Sequence, residues 1–237
     1  MPKISHEKWK VFENVFDNHS LRNLFKLSSQ GYFEALKSPI SVGKEANVFT
    51  ANRKDGSNVI VKIYRLETCN FNRMYDYIKA DPRFIGLKHQ RRKIIFAWTQ
   101  REFRNLLKAR ELNVRVPKPL AFLDNILVLE TIGGDKPAPQ LKDSMPSSEK
   151  GKKEMFNEIV EYMRNLYKGQ LVHADLSGFN ILNHDGNPVF IDFSQSTVLE
   201  NSEAERYLER DVKNICTLFR KYGLKAEEED VLKRIRK

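Results

Sequence analysis

Runs of β-branched and aliphatic residues predict strands at Val59-Ile60-Val61-Lys62-Ile63 and at Asn125-Ile126-Leu127-Val128-Leu129-Glu130. A third extended pair brackets a polar segment from Ser41 to Asn47, which Ile40 and Val42 enter and Val48 and Phe49 leave, and Lys54-Asp55-Gly56 supplies a turn before the strand at Val59. Elsewhere the apolar spacing is helical. Trp98, Phe103, Leu106 and Leu107 share one face of a helix from Ala97 to Leu112, and Met155, Ile159, Met163 and Leu166 share one face of a later amphipathic helix. Trp9, Phe12 and Phe16, then Leu21, Leu24 and Phe25, predict a small helical appendage ahead of the first strand. The proline-bearing stretch from Gly133 to Ser148 reads as a loop.

Chemistry concentrates where an apolar pair leads into His173-Ala174-Asp175-Leu176-Ser177-Gly178-Phe179-Asn180, with Val189-Phe190-Ile191-Asp192 following after a second apolar run. Phosphoryl transfer from metal-bound ATP to a hydroxyl needs one carboxylate to take the hydroxyl proton and a second, with an amide oxygen, to hold magnesium. Asp175 fits the base, and Asn180 and Asp192 fit the metal ligands. Ser41-Val42-Gly43-Lys44-Glu45-Ala46-Asn47-Val48 superposes on the glycine-rich phosphate loop G-x-G-x-x-G-x-V, with Ser and Ala at the outer glycines. Lys62 then stands on the third strand of a nucleotide-covering sheet, a point charge for the α and β phosphates. Glu102, on the predicted helix, is the expected partner of that lysine; Glu111 is the alternative, but it sits where the helix runs out before Pro117. Backbone groups of Glu130 and Ile132, before the link Gly133-Gly134, would read adenine.

The wording S-x-G-K-E-A-N-V-[FY], V-K-I-Y, L-V-H-A-D-L-S-x-[FY]-N and I-D-x-S-Q-S resembles the RIO protein kinases, first subfamily, from about residue 39 to about residue 220. The second subfamily carries a different phosphate loop and an N-terminal winged helix, for which residues 1–38 look too short. The resemblance implies a two-lobed kinase-like α+β fold with a reduced C-terminal lobe, an antiparallel sheet and a helix in the N-terminal lobe, and Mg-ATP between the lobes, with manganese as the alternative ion. It also implies atypical Ser/Thr kinase or ATPase activity in maturation of the small ribosomal subunit. An aspartyl-phosphate on Asp192 is then an expected intermediate, against the plainer role of metal ligand alone.

Departures from ordinary protein kinases carry physical meaning. Ala174 replaces the arginine that clamps a phosphorylated activation loop, Ser194 replaces the glycine of D-F-G, and Ser177 stands where many kinases keep a lysine on the transferred phosphate. No proline follows Asp192, so an A-P-E segment and the peptide-docking platform behind it are not expected. His173 is expected to be structural, bonding backbone near Asp192.

Among 237 residues, 41 are basic and 31 acidic, a net charge of +10 that favours an anionic partner. Lys88-His89-Gln90-Arg91-Arg92-Lys93 lies in a segment longer than a strand-to-helix link needs, and small-subunit ribosomal RNA on its precursor particle is the expected target, with a protein or the chain itself as phosphoacceptor. A second basic run, Lys233 to Lys237, closes the sequence. Two cysteines, Cys69 and Cys216, provide no disulfide framework, which points to a reducing cytoplasm, and no segment has the apolar length to span a bilayer. The expected organisation is a helical extension over 1–38, an N-lobe over 39–130, and a hinge with reduced C-lobe over 131–237. Two other classes share part of the pattern: small-molecule kinases of the aminoglycoside or choline type, which need a large segment after the second Asp, and non-catalytic nucleotide-binding assembly factors, which have no need of the base.

Overall fold

A computed structural model describes residues 16–84, 86–87, 89–134 and 136–237. Trp9 and Phe12 of the expected appendage, and Lys88 of the basic cluster, lie outside these residues. The chain divides into two compact units: the first takes residues up to 78 with 86–103 and 119–131, and the second takes 79–85, 104–118 and 132–237.

The first unit is built on an antiparallel sheet of β1 (Ala35–Val42), β2 (Ala46–Asn52), β3 (Asn58–Tyr64), β4 (Pro119–Leu123) and β5 (Ile126–Glu130), in the order β1-β2-β3-β5-β4. Because successive strand residues point to opposite faces, Val59, Val61 and Ile63 of β3 enter a core with Phe49, Ala51, Ile126 and Val128. Lys62 and Tyr64 fall on the other face. The core is closed by α1 (Asn18–Ser29) through Leu24 and Leu27, and Phe16 packs edge-on against Phe49 with ring centroids 5.5 Å apart. Burying each of the three β3 side chains contributes about 1.5–3 kcal/mol. Asp17 caps α1 by accepting the His19 and Ser20 backbone N–H groups. Phe25, expected on the buried face of that helix, is instead 56% exposed: with Leu24 and Leu27 fully buried, its place one residue on turns it outward.

Helix α2 (Phe71–Lys79) and the long α3 (Arg91–Glu111) follow. The sequence placed the start of α3 near Ala97 and read the preceding basic residues as part of a long link. In the structure Arg91, Arg92 and Lys93 form the first turn of α3, because the apolar pair Ile94 and Ile95 behind them is completely buried and draws the helix six residues earlier than the spacing of Trp98 and Phe103 had required.

The second unit is mostly helical. α4 (Glu149–Lys168), α5 (Ala204–Lys221) and α6 (Glu228–Arg236) pack through Met155, Phe156, Ile159, Met163 and Leu166 of α4 and Leu208, Val212, Ile215 and Phe219 of α5. Phe156 and Phe219 meet edge-on at 5.1 Å. Two short hairpin-like sheets, β6 (Leu171–Val172) with β9 (Thr197–Val198) and β7 (Ile181–His184) with β8 (Asn187–Phe190), hold the connecting segments 173–180 and 191–196. Pairing at both ends keeps those segments short and their ends fixed. Among the described residues, no helix is long and apolar enough to cross a membrane.

Candidate active site

In the first unit, β3 presents Lys62 and Tyr64 two residues apart on one face, and Glu102 of α3 reaches between them. Lys62 Nζ donates to Glu102 Oε1 at 2.9 Å, while the Tyr64 hydroxyl donates to Glu102 Oε2. The ammonium also lies 5.0 Å from the centre of the Tyr64 ring. All three side chains are buried. Low local dielectric strengthens both bonds to the Glu102 carboxylate, which makes this triad stiff. Glu111, the alternative partner, pairs with Lys108 on the surface instead.

The segment from Ser41 to Val48 forms the β1-β2 hairpin. Gly43 donates its N–H to the Ala46 carbonyl at 3.0 Å, and a Cβ on Gly43 would meet that same oxygen at 3.1 Å, so the glycine permits the tight return. The carbonyl of Lys44 accepts from the Thr68 hydroxyl and that of Glu45 from the Arg65 N–H, which turns these oxygens toward the chain after β3. Ser41, Val42 and Lys44 are exposed, whereas Asn47 is buried under the hairpin with no partner for its Oδ1 among the described residues. Glu130 closes β5 in register with Val59.

In the second unit, Asp175, Asn180 and the segment around Asp192 come together. Asn180 Nδ2 donates to the Asp175 carbonyl at 2.8 Å and to its Oδ2 at 3.3 Å, which commits the amide nitrogen and turns the amide oxygen the other way. The Ser194 hydroxyl donates to Asp192 Oδ1 at 2.7 Å. Ala174 and Asp192 both adopt left-handed backbone conformations, with φ of 64° and 61°. For alanine this costs about 1 kcal/mol or more, a strain that persists only where surrounding bonds over-determine it. Ile132 is buried, and its carbonyl accepts the Ala138 N–H at 2.7 Å.

The bonds that hold Ala174 come from α5. Asp211, almost wholly buried, accepts the N–H groups of Ala174 at 2.8 Å and of Leu176 at 2.9 Å, one on each side of Asp175. Arg210 donates to the Ala174 carbonyl, and Asn214 donates to the Leu176 carbonyl at 3.1 Å. Burial pushes the Asp211 carboxyl up to about 8, against the pull of its two N–H donors.

His173 is structural, as expected. Its Nε2 meets the Ile191 carbonyl at 3.0 Å, an acceptor only, so that nitrogen carries the proton, and Nδ1 is buried with no partner among the described residues. Burial lowers its pKa to about 4, which keeps the ring neutral at physiological pH.

The expected residues therefore fall into two sets: Ser41 to Val48, Lys62, Glu102 and Glu130 in the first unit, and Ile132, Asp175, Asn180 and Asp192 in the second. A carbonyl oxygen and carboxylates on one unit are the hard oxygen donors that suit magnesium.

A family model described as the RIO domain matches residues 47–232. The chain belongs to the RIO family. Among curated proteins, the RIO-type serine/threonine-protein kinase Rio1 of Methanocaldococcus jannaschii is 42% identical over 97% of this chain and 78% of its own length. Rio1 of Haloferax volcanii is 39% identical over 93% of this chain and 76% of its own. The human serine/threonine-protein kinase RIO1 is 34% identical over 90% of this chain, which spans 38% of the human protein. Among solved structures, a Rio2 kinase–ADP/Mg2+–phosphoaspartate complex from Chaetomium thermophilum superposes with a TM-score of 0.69 at 20% identity, covering 91% of this chain and 66% of that one. The chain is thus an atypical kinase of the RIO1 type with a kinase-like fold.

Several residues that shape this RIO-family site were not assigned roles by the sequence. Tyr64 and Gln195 stood inside the motifs V-K-I-Y and I-D-x-S-Q-S, where alternation on β3 could have paired Tyr64 with Lys62. Asp211 and Asn105 gave no local signal, because each acts on a segment distant in the chain.

Proposed function

We propose that this chain transfers the γ-phosphate of ATP to a hydroxyl of a protein, itself included, and that it hydrolyses ATP through Asp192 as a companion reaction. The observation that carries this reading is the Asn180 amide held on Asp175, in the unit that also carries Asp192. Asp175 would take the proton of the attacking hydroxyl, and Lys62, braced by Glu102, would meet the phosphates under the cover of residues 41–48. The Glu130 carbonyl and the Ile132 N–H would receive adenine. Asn180 and Asp192 would hold magnesium, which when bound neutralises charge on the transferring phosphoryl group.

The covalent route balances without a further reagent. A carboxylate oxygen of Asp192 bonds to the γ-phosphorus as its bond to the bridging oxygen breaks and ADP leaves; water then cleaves the acyl phosphate, returning the carboxylate and inorganic phosphate. The named phosphoaspartate in the Rio2 complex supports this reading by fold likeness. We further infer a cytoplasmic setting, from two buried free thiols, and an RNA partner on the small-subunit precursor, met by the basic start of α3. There Arg91 is already engaged, donating to the Glu67 carbonyl and lying over the Phe71 ring. Arg92 and Lys93 are exposed and carry the proposal.

The test uses γ-labelled ATP and magnesium. Label released from the denatured protein by hydroxylamine, and absent in Asp192→Asn, is the expected result; only hydroxylamine-resistant label on Ser or Thr would leave a plain autokinase. Asp175→Asn should keep ATP affinity and lose transfer to a hydroxyl by roughly 10² to 10⁴-fold.

A further inference from the structure

The segment after Asp192 is bonded residue by residue. The Ser194 hydroxyl reaches back to Asp192 at 2.7 Å, Gln195 Nε2 donates to Asp175 Oδ2 at 3.0 Å, and the Ser196 hydroxyl donates to the His173 carbonyl at 2.9 Å. Beneath it, buried Asn105 uses one amide nitrogen to donate to the carbonyls of Phe193 at 3.0 Å and Ser196 at 2.8 Å. Asn105 Oδ1 accepts from Arg83 Nη1 at 2.9 Å, and Arg83 is clamped to Asp81 by bonds at 2.8 and 2.6 Å. Two successive side chains, Gln195 and Ser196, thus tie the metal-side segment to the segment of the base, and a buried amide fixes the backbone that carries them.

We propose that Gln195 is a positioning residue for Asp175: its amide holds one carboxylate oxygen alongside the chain's own Asn180, so the base keeps the rotamer that faces the attacking hydroxyl. The physical need is specific to this loop. Asp175 follows a strained alanine, and a carboxylate rotating freely about its side-chain torsions spends most of its time misaimed. Two amide donors on Oδ2, at 3.0 and 3.3 Å, remove that freedom. With Asn105 locking the Phe193 and Ser196 carbonyls, Gln195 is delivered to Asp175 by the fold itself.

The inference rests on the reading of Asp175 as the base, and the experiment separates the two. Transfer of γ-label from Mg-ATP to the hydroxyls of a Ser/Thr-bearing acceptor protein, counted as hydroxylamine-resistant label, is measured for kcat and KM on the full chain, with ATP affinity by calorimetry, for Asp175→Asn, Gln195→Ala, Gln195→Met and the double variant Asp175→Asn with Gln195→Met. Methionine keeps the length and bulk of glutamine and removes the donor. The expected result is that Gln195→Met and Gln195→Ala both lower kcat by roughly tenfold to a hundredfold, with KM and ATP affinity within about twofold of the parent, and that the double variant is no slower than Asp175→Asn alone. Full kcat in Gln195→Met would show that the residue only fills space and would overturn the proposal. So would losses that multiply in the double variant. If Asp175→Asn itself turned over at the parental rate, the reading of the base would fall and the proposal with it, whereas a slow Asp175→Asn beside an unimpaired Gln195→Met would remove the proposal alone.

Discussion

Lys62 and Glu102 form a buried ion pair at 2.9 Å in which the carboxylate's other oxygen is taken by Tyr64, one strand repeat from the lysine. Removing the carboxylate takes a charge-assisted bond from both Lys62 and Tyr64. Glu102→Ala should therefore destabilise the chain by about 3–5 kcal/mol, and Tyr64→Phe, which removes a single bond to the charged carboxylate, by about 1.5–3 kcal/mol. Because both act on one carboxylate, the double variant should fall short of the sum. Urea unfolding of the three variants checks this, and strict additivity would separate Tyr64 from the pair.

Asn105 satisfies two backbone carbonyls from inside the second unit. In Asn105→Ala both lose their donor, as does Arg83 its acceptor, and each buried group left unpaired costs about 1–3 kcal/mol. The expected result is a large drop in the denaturation midpoint, and amide exchange of the segment 193–198 should quicken with it. Exchange rates equal to the parent's would show that another donor substitutes.

His173 gives a pH dependence with a definite sign. Its pKa is lowered to about 4 by burial from an ordinary 6.5, so between these values the unfolded chain holds the extra proton. The stability tied to the neutral ring is present above about pH 6.5 and is lost as pH falls through about 4, by up to roughly 3 kcal/mol. Asp211, pushed up to about 8, acts in the opposite sense: its contribution is present below its ordinary 3.8 and is lost as pH rises through about 8. The parental curve then conceals both over their shared window. His173→Gln lifts only the first, so the stability of the parent relative to this variant should shrink as pH is lowered from 7 to 4.5 in chelator-treated buffer. A constant difference would mean that the ring takes up its proton without unfolding.

The basic start of α3 is tested by salt. If Arg92 and Lys93 meet RNA phosphates, replacing both with Ala should weaken RNA binding and flatten the plot of log affinity against log salt by about 0.7–0.9 for each phosphate no longer neutralised. Arg91→Ala should instead lower stability, since that side chain bonds the Glu67 carbonyl and covers Phe71. An unchanged slope in the double variant would return both residues to the role of a solvated helix start.

By itself the sequence determined the elements and the polar side chains whose spacing carries information: the strand of Lys62, the face of Glu102, the apolar stripe of α4, and the motif joining His173, Asp175 and Asn180. These were legible because strand and helix periods act over a few residues, and because the bonds from Asn180 to Asp175 span only five. Its errors were of the same local kind. Phe25 was assigned to a buried stripe, and the start of α3 was set six residues late, since periodicity cannot say which neighbour will cover a face or how far a buried pair such as Ile94 and Ile95 extends a helix. Tertiary structure alone decided what restrains the chemistry. Asp211 reaches Ala174 and Leu176 from a helix that begins after β9, and Asn105 reaches Phe193 and Ser196 from α3. Their targets are backbone N–H and C=O groups, which every residue except proline possesses and no sequence pattern marks, so only the folded chain reveals which carboxylate and which amide satisfy them.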